Sequence, residues 1–324
     1  MIDVSILVIT YNQKDFVRET IESCLNQTFD SSRYEIIVSD DGSTDGTQEI
    51  IQEYADKYAN IVPILHEVNT GIASNLNRGL EKAQGTYLAF LGGDDIMLPD
   101  KLNVQVDYFK NNQDVIGCSH DMEVFDSKSN QKIANSSQML SSKKIPDKMG
   151  VEFLFDSAIA LIPSAMMIKR QYIPEHGFDS RLKYANDYLF DIECFAQGEL
   201  GFIHEVYGRY RKHEQQVSSL QKKENDFEEY LIVLGIVLAK YPKLYKIIYR
   251  HQASKILSHI IYAIQTDQKD RARFLSKYLI LNGHYLKGIF GYMLNIFLNK
   301  KIIDSIYNSK NIVTIKKIWR KYIV

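Results

Sequence analysis

The feature that most constrains this chain is the alternation of two hydrophobic periods through its first third. A β-branched run at Val4–Thr10 precedes helical spacing through Phe16, Ile21 and Leu25 over residues 14–27, and a second apolar run at 34–39 precedes a helix over 47–58. The series repeats as strand 61–66, helix 71–83 and strand 87–91, which runs into Gly92, Gly93, Asp94 and Asp95. Strand–helix–strand units with short connections build a mostly parallel sheet covered by helices on both faces. Ligands of such sheets bind outside the carboxyl ends of the strands. Residues 10–12, 40–41 and 92–95 are therefore expected along one rim, although they are far apart in sequence.

At 324 residues the chain can hold one large domain and a smaller appended one, and its 45% hydrophobic content with only 6 prolines excludes a disordered chain. Cys24, Cys118 and Cys194 are odd in number and widely spaced, which argues against a disulfide framework or zinc knuckle and fits a reducing cytoplasm. The opening MIDVSILVIT has no basic segment and only a strand-length apolar run, so no signal peptide is expected. The longest apolar stretch, 231–239, is far short of the roughly 20 residues a membrane span needs. Charge is unevenly spread. Residues 241–324 carry 16 Lys and Arg against Asp267, Asp270 and Asp304, a balance of +13, so residues 1–240 carry −14 within a net charge of −1. Residues 115–215 are less regular, with strand signals at 164–170 and 201–211, a helix signal at 187–197 and a polar loop at 127–148; from about 225 onward the pattern is helical.

Two acidic stretches carry the chemistry. In YEIIVSDDGSTDGT (34–47) a strand runs into Asp40 and Asp41, each raising the cost of ionising the other. A carboxylate at a strand end can accept the ring N–H of uracil, thymine or guanine, so Asp41 reads as a base selector, with Gly42 letting the backbone approach the ligand. The helix that opens near Thr47 would add its positive end to a diphosphate site. An Asx turn capping that helix is the structural alternative. In FLGGDDIMLPDKL (90–102) two carboxylates follow a buried strand with no basic residue beside them before Lys101. Such a pair repels itself unless a cation lies between or one group stays protonated, and hard oxygen ligands suit Mg²⁺ or Mn²⁺. A plain strand-ending turn is again the alternative.

The ordered blocks VSILVITYNQ, IIVSDDGSTDGT, NTGIASNLNRGL, FLGGDDIMLPDKL, ANDYLFDIE and YRKHEQQVSS resemble the family 2 inverting glycosyltransferases of GT-A fold over roughly residues 1–220. The resemblance implies an α/β GT-A domain at 1–220, with a nucleotide-sugar half to about 110 and an acceptor half at 111–220, followed by a basic helical region at 221–324. It implies that Thr10 and Tyr11 line the nucleoside pocket, that Asp41 takes the base N–H, and that Asp94 and Asp95 hold ribose and metal. Two departures stand out. Gly92 occupies the position of a leading acid in many members, and Leu76 stands where many have an arginine, with Arg78 nearby but projecting differently.

Single displacement at an anomeric carbon requires a base for the acceptor hydroxyl. The resemblance points to Asp187, with Asn186 replacing the usual first acid of the pair; Asp191 is the rival. The bland reading makes Asn186 a helix cap and Asp187 a charge favoured by the helix dipole. His213, with Arg211 beside it, could meet metal or diphosphate, or could end a solvated strand. Tyr184, Phe178, Met166 and Met167 are candidates for the acceptor cleft or for the core. In NIVTIKKIWRKYIV (311–324) Ile312, Ile315, Ile318, Trp319 and Tyr322 share one helical face and Lys316, Lys317, Arg320 and Lys321 largely the other, a pattern suited to an anionic membrane surface or to packing on protein. Nucleic acid is not an expected partner, because the acidic domain repels it.

The expectation is thus a metal-dependent inverting transferase. It moves a sugar from a nucleotide diphosphate, most simply UDP, to a hydroxyl of a glycan or lipid-linked acceptor, as in bacterial surface-polysaccharide assembly. It works in the cytoplasm, peripheral on the inner face of the membrane. A nucleotidyltransferase is the rival enzyme, although VITYNQKDF lacks the glycine-rich loop that class usually has. A catalytically silent sugar-nucleotide or glycan-binding domain is the rival from another class.

Overall fold

A computed structural model of the chain describes residues 2–140, 145–155, 161–214, 216 and 226–281. Strand β1 (Val4–Thr10) leads to α1 (Lys14–Leu25), β2 (Tyr34–Asp40), α2 (Thr47–Lys57), β3 (Ile61–Leu65), α3 (Ile72–Lys82) and β4 (Tyr87–Gly92). The expected alternation is present, and β1 pairs in parallel with both β2 and β4 while β2 pairs in parallel with β3. Ile6, Val8, Ile36, Val38, Ala89 and Leu91 are buried against Val17, Ile21, Ile51 and Tyr54 of α1 and α2. Leu7 and Ile37 point to the other face and are equally buried, the signature of a sheet covered on both sides.

The chain continues through β5 (Ile96–Met97), α4 (Lys101–Asn111), β6 (Gly117–Asp126), β7 (Lys132–Asn135), α5 (Ser136–Leu140), β8 (Lys148–Met149), α6 (Val151–Phe155) and β9 (Met167–Lys169). Helix α7 (Asn186–Phe195) and the 13-residue strand β10 (Leu200–Lys212) follow, then α8 (Asp226–Lys240), α9 (Tyr245–Gln265) and α10 (Lys269–Leu281). The sheet order is β3-β2-β1-β4-β9-β6-β10-β5, with β7 beside β6 and β8 beside β10. β9 enters antiparallel between β4 and β6, and β10 runs parallel to β6. This architecture is a GT-A fold.

Two elements go beyond the sequence reading. Leu102, Val106 and Phe109 give α4 its buried stripe, and β6 is buried along nearly its whole length. The polar loop expected at 127–148 contains β7 and α5; Asp121 holds the start of α5 by accepting from the amide of Ser137 (2.9 Å) and the hydroxyls of Ser136 (2.7 Å) and Ser137 (2.6 Å). The helical signal beyond 225 is present as α8, α9 and α10. The described chain divides into two compact units, the first reaching Lys240 and the second beginning at Tyr241. In the second, α9 and α10 pack on each other, burying Ile256, Ile260, Leu275 and Leu279. Among the described residues no helix is long and apolar enough to cross a membrane. The amphipathic pattern at 311–324 lies outside the described residues.

Candidate active site

Three strand-end loops lie side by side and are tied by their own backbones. The amide of Asp41 donates to the carbonyl of Thr10 (3.0 Å), and that of Gly93 to the carbonyl of Ile9 (2.8 Å). The amide of Asn12 donates to Ser43 Oγ (2.7 Å), and Asn12 Oδ1 accepts from the amide of Thr44 (2.9 Å). The rim expected from topology therefore exists. Thr10 is buried with its hydroxyl lacking a protein partner, whereas Tyr11 is 47% exposed and free to lie against a planar ligand.

The adjacent acids Asp40 and Asp41 divide their work. Asp40 faces its own turn, accepting from the amide of Ser43 (2.8 Å), the hydroxyl of Ser43 and the side-chain amide of Gln48 (2.7 Å). Asp41 accepts from the amide (3.0 Å) and hydroxyl (3.0 Å) of Thr70 and from the amide of Gly71 (2.8 Å). Arg78 Nη1 stands 3.6 Å from the same carboxylate. The two neighbouring carboxylates are thus turned to separate hydrogen-bond networks, and only Asp41 has a guanidinium beside it. Gly42 serves the protein here: its φ is +77°, and an added Cβ would lie 2.7 Å from Val68 C and 2.8 Å from Asn69 N. The close approach read from the sequence is to the 68–69 backbone.

Beyond β4, Asp94 and Asp95 also part company. Asp95 is buried; its Oδ1 accepts from the amide of Arg211 (3.0 Å) and its Oδ2 from Ser164 Oγ (2.5 Å). Burial, with Asp94 adding to it, pushes the Asp95 carboxyl up to about 8. Asp94 Oδ2 lies 2.9 Å from His213 Nε2. A Cβ on Gly92 would fall 2.8 Å from Asp94 Oδ1, so the Asp94 carboxylate leans over the position where the leading acid is missing.

Arg211 has a structural part. Its Nε donates to the carbonyl of Asp94 (2.7 Å), Nη2 pairs with Glu19, and the guanidinium lies between the rings of Phe16 (4.9 Å) and Phe125 (4.8 Å). These contacts draw the end of β10 to the end of β4 and deliver His213, whose ring centroid is 4.6 Å from that of Phe16. Beneath Asp95, the fully buried Lys101 donates to the carbonyl of Ser164 (2.6 Å), and burial lowers its ammonium to about 8.

Among the described residues no group of three or more His, Cys, Asp or Glu side chains is placed to hold a metal ion. A divalent ion of the phosphate-binding kind takes only one or two carboxylates and completes its shell with substrate oxygens and water. Asp94, with His213 at one oxygen, and Asp95, with Ser164 and the Arg211 amide at its two, are the carboxylates such a set would draw on.

Asp187 opens α7 on the exposed side, its Oδ1 accepting from the amide of Tyr188 (2.7 Å). Phe190, one turn on, stacks on Phe178 (3.9 Å), and both meet the edge of Phe90 in β4 (6.0 and 6.2 Å). Asn77 of α3 ties in Phe178 through both its amide and its carbonyl (2.7 and 2.8 Å). The helix carrying Asp187 is thereby packed onto the strand that leads to Asp94. Burial pushes the carboxyl of Asp191 well above the usual range, with Asp187 adding to it; this favours the neutral form, the wrong state for accepting a proton.

Several expected contacts resolve differently. Asn186 does not cap α7: its amide donates back to the carbonyls of Leu182 (3.2 Å) and Lys183 (3.3 Å), because the preceding amides are taken by Glu229. Phe178, Met166 and Met167 are buried in the core, and only Tyr184 of the proposed cleft residues is partly open. Ser164, Thr70 and Glu229 have no sequence signal of their own; each is recognised only by what it bonds.

A GT-A sheet with acidic pairs at the ends of its second and fourth strands is the arrangement of a sugar-nucleotide-dependent glycosyltransferase. The family model described as Glycosyl transferase family 2 matches residues 5–177, and the chain belongs to that family. A glycosyltransferase of Rickettsia prowazekii is 32% identical over 263 residues, 79% of this chain and 78% of the relative. TuaG of Bacillus subtilis, named for glycosyl transfer in teichuronic acid biosynthesis, is 40% identical over 105 residues, 32% of this chain and 41% of the relative. The crystal structure of S. aureus TarS residues 1–349 in complex with UDP-GlcNAc superposes with a TM-score of 0.66 at 18% identity, covering 94% of this chain and 91% of that one.

Proposed function

We propose that this glycosyltransferase is an inverting, divalent-metal-dependent enzyme that takes its sugar from a UDP-sugar and transfers it to a hydroxyl of a glycan or lipid-linked acceptor. The observation that carries the reading is the meeting of Asp94 and His213, with Asp95 next in the chain, beside the Thr10–Asp41 rim. The UDP-GlcNAc complex of the structurally similar TarS supports the donor class, and the TuaG relative supports a polysaccharide acceptor.

The base edge meets Asp41, whose carboxylate accepts three donors from Thr70 and Gly71 and, with about four lone-pair positions, keeps one for a ring N–H. Tyr11 covers the base. Asp94 and Asp95, together with substrate oxygens and water, would hold Mn²⁺ or Mg²⁺, which when bound disperses the charge of the departing diphosphate. Arg211 holds the Asp94 backbone while this charge develops. On the opposite side Asp187 takes the proton of the attacking hydroxyl, and a single displacement inverts the anomeric centre.

The test is thermal-shift and turnover measurement with UDP-, GDP- and dTDP-sugars, with and without Mn²⁺, and NMR of the product anomer. UDP-selective, Mn²⁺-dependent stabilisation and an inverted product are expected, and Asp95→Ala should abolish the metal-dependent part. Retained configuration or metal-independent turnover would overturn the reading. The basic pattern at 311–324 is proposed to touch anionic lipid; a chain lacking 308–324 that still binds anionic liposomes as well as the parent would refute this.

A further inference from the structure

We infer that α8 is a positioning element of the reaction, its Glu229 carboxylate fixing the segment that leads into α7 and with it the direction in which the helix carries the Asp187 side chain. The inference rests on the reading of Asp187 as the base. Helix α7 begins without a cap of its own. Ala185 occupies the cap position and has no polar side chain, while Asn186 bonds backwards. The entry to α7 is held from outside instead: from 44 residues away Glu229 binds the three amides that lead into the helix, Oε1 accepting from the amide of Lys183 (2.9 Å) and Oε2 from those of Tyr184 (2.6 Å) and Ala185 (2.9 Å). Three charge-assisted bonds to three successive amides fix a backbone direction that one side-chain cap would leave free to pivot.

The same helix is tied to α7 a second time. Lys240 Nζ, at the end of α8, reaches Glu193 Oε1 (2.8 Å), a nearly fully buried carboxylate that also meets His176 Nε2 (3.0 Å). Tyr188 and Tyr230 lie between these ties with ring centroids 6.0 Å apart. The early residue of α8 thus meets the start of α7 and the late residue its end, so the helices run in parallel and α8 acts as a splint. The Glu229 end holds the residues that lead directly into the turn carrying Asp187. The Lys240 end contributes attachment without bearing on that turn, and this asymmetry separates positioning from mere stability. The family match ends at residue 177, before either helix.

The experiment compares Glu229→Gln, Glu229→Ala and Lys240→Gln in the full chain, measuring melting temperature, donor affinity by titration of UDP-sugar with Mn²⁺, and kcat and KM for transfer. Glu229→Gln keeps the length of the side chain but turns an amide N–H₂ toward backbone donors. It is expected to keep donor affinity within about twofold while kcat falls about 10- to 100-fold, the scale of a 1 Å misplacement. Lys240→Gln should lower the melting temperature and keep kcat. Folded Glu229→Gln protein with parental kcat would overturn the inference, as would a kcat loss matched by Lys240→Gln at equal loss of stability. Asp187→Asn serves as the control for the underlying reading: if it transfers normally, the base assignment fails, whereas an inactive Asp187→Asn beside a fully active Glu229→Gln defeats the splint alone.

Discussion

The donor rim and the acceptor side of this glycosyltransferase are built in opposite ways. At the rim, loops that are neighbours in the sheet bond to one another through their own backbones, as between Thr10 and Asp41 or Ile9 and Gly93. On the acceptor side Asp187 sits on a helix whose direction depends on distant groups: a stack of Phe90, Phe178 and Phe190 and the carboxylate of Glu229. The difference teaches that strand ends bring polar loops together almost automatically, while the carboxylate proposed as the base must be carried in by packing. Damage on one side should leave the other measurable.

The largest effect is expected at Asp187. Asp187→Asn should cut transfer by about 10²- to 10⁴-fold, the usual worth of a general base, with UDP affinity unchanged in calorimetry; joint loss of both would mean the two sides are one unit. Next comes Phe178→Ala, which removes the ring stacked on Phe190 and edge-on to Phe90. It should cost about 3–5 kcal/mol of stability in denaturant titration, and a loss below 1 kcal/mol would show that the stack does not hold α7. Gly42→Ala tests the rim. Its positive φ and the 68–69 backbone leave no room for a methyl group, so about 1–3 kcal/mol should be lost, together with weaker donor binding.

The smallest effect sharpens the contrast through pH. His120, buried in β6, is held down to about 3 because burial disfavours the imidazolium, with Lys101 adding to it. Its folded value lies below the ordinary 6.5, so the stability it confers is complete above that pH and is lost as pH falls toward 3. The slope reaches about 1.4 kcal/mol per pH unit while this one group titrates. Melting curves of His120→Gln should be flatter over pH 6.5 to 4; an unchanged slope would assign the acid sensitivity elsewhere.

Legibility followed the same division. The rim could be read because hydrophobic period fixes strand and helix, and strand ends fix which loops meet; Thr10, Asp41 and Asp94 needed no more. The paired acids were visible, but their separate parts were not. Asp40 and Asp41 are identical in type, and only the partners brought by folding, Ser43 and Gln48 for one and Thr70, Gly71 and Arg78 for the other, distinguish them. Arg211 looked like a ligand contact because a surface-like YRKH run gives no hint that Phe16 and Phe125 will enclose the guanidinium.

What the sequence determined by itself is therefore the order of strands and helices and the types of group at the strand ends, since both depend on local periodicity and side-chain chemistry. The tertiary structure alone decided which carboxylate is held by Thr70 and Gly71 and which is spent on its own turn, and it alone brought Glu229 to the segment leading into α7. Those outcomes depend on hydrogen-bond donors tens of residues away, and no local pattern encodes the distance between them.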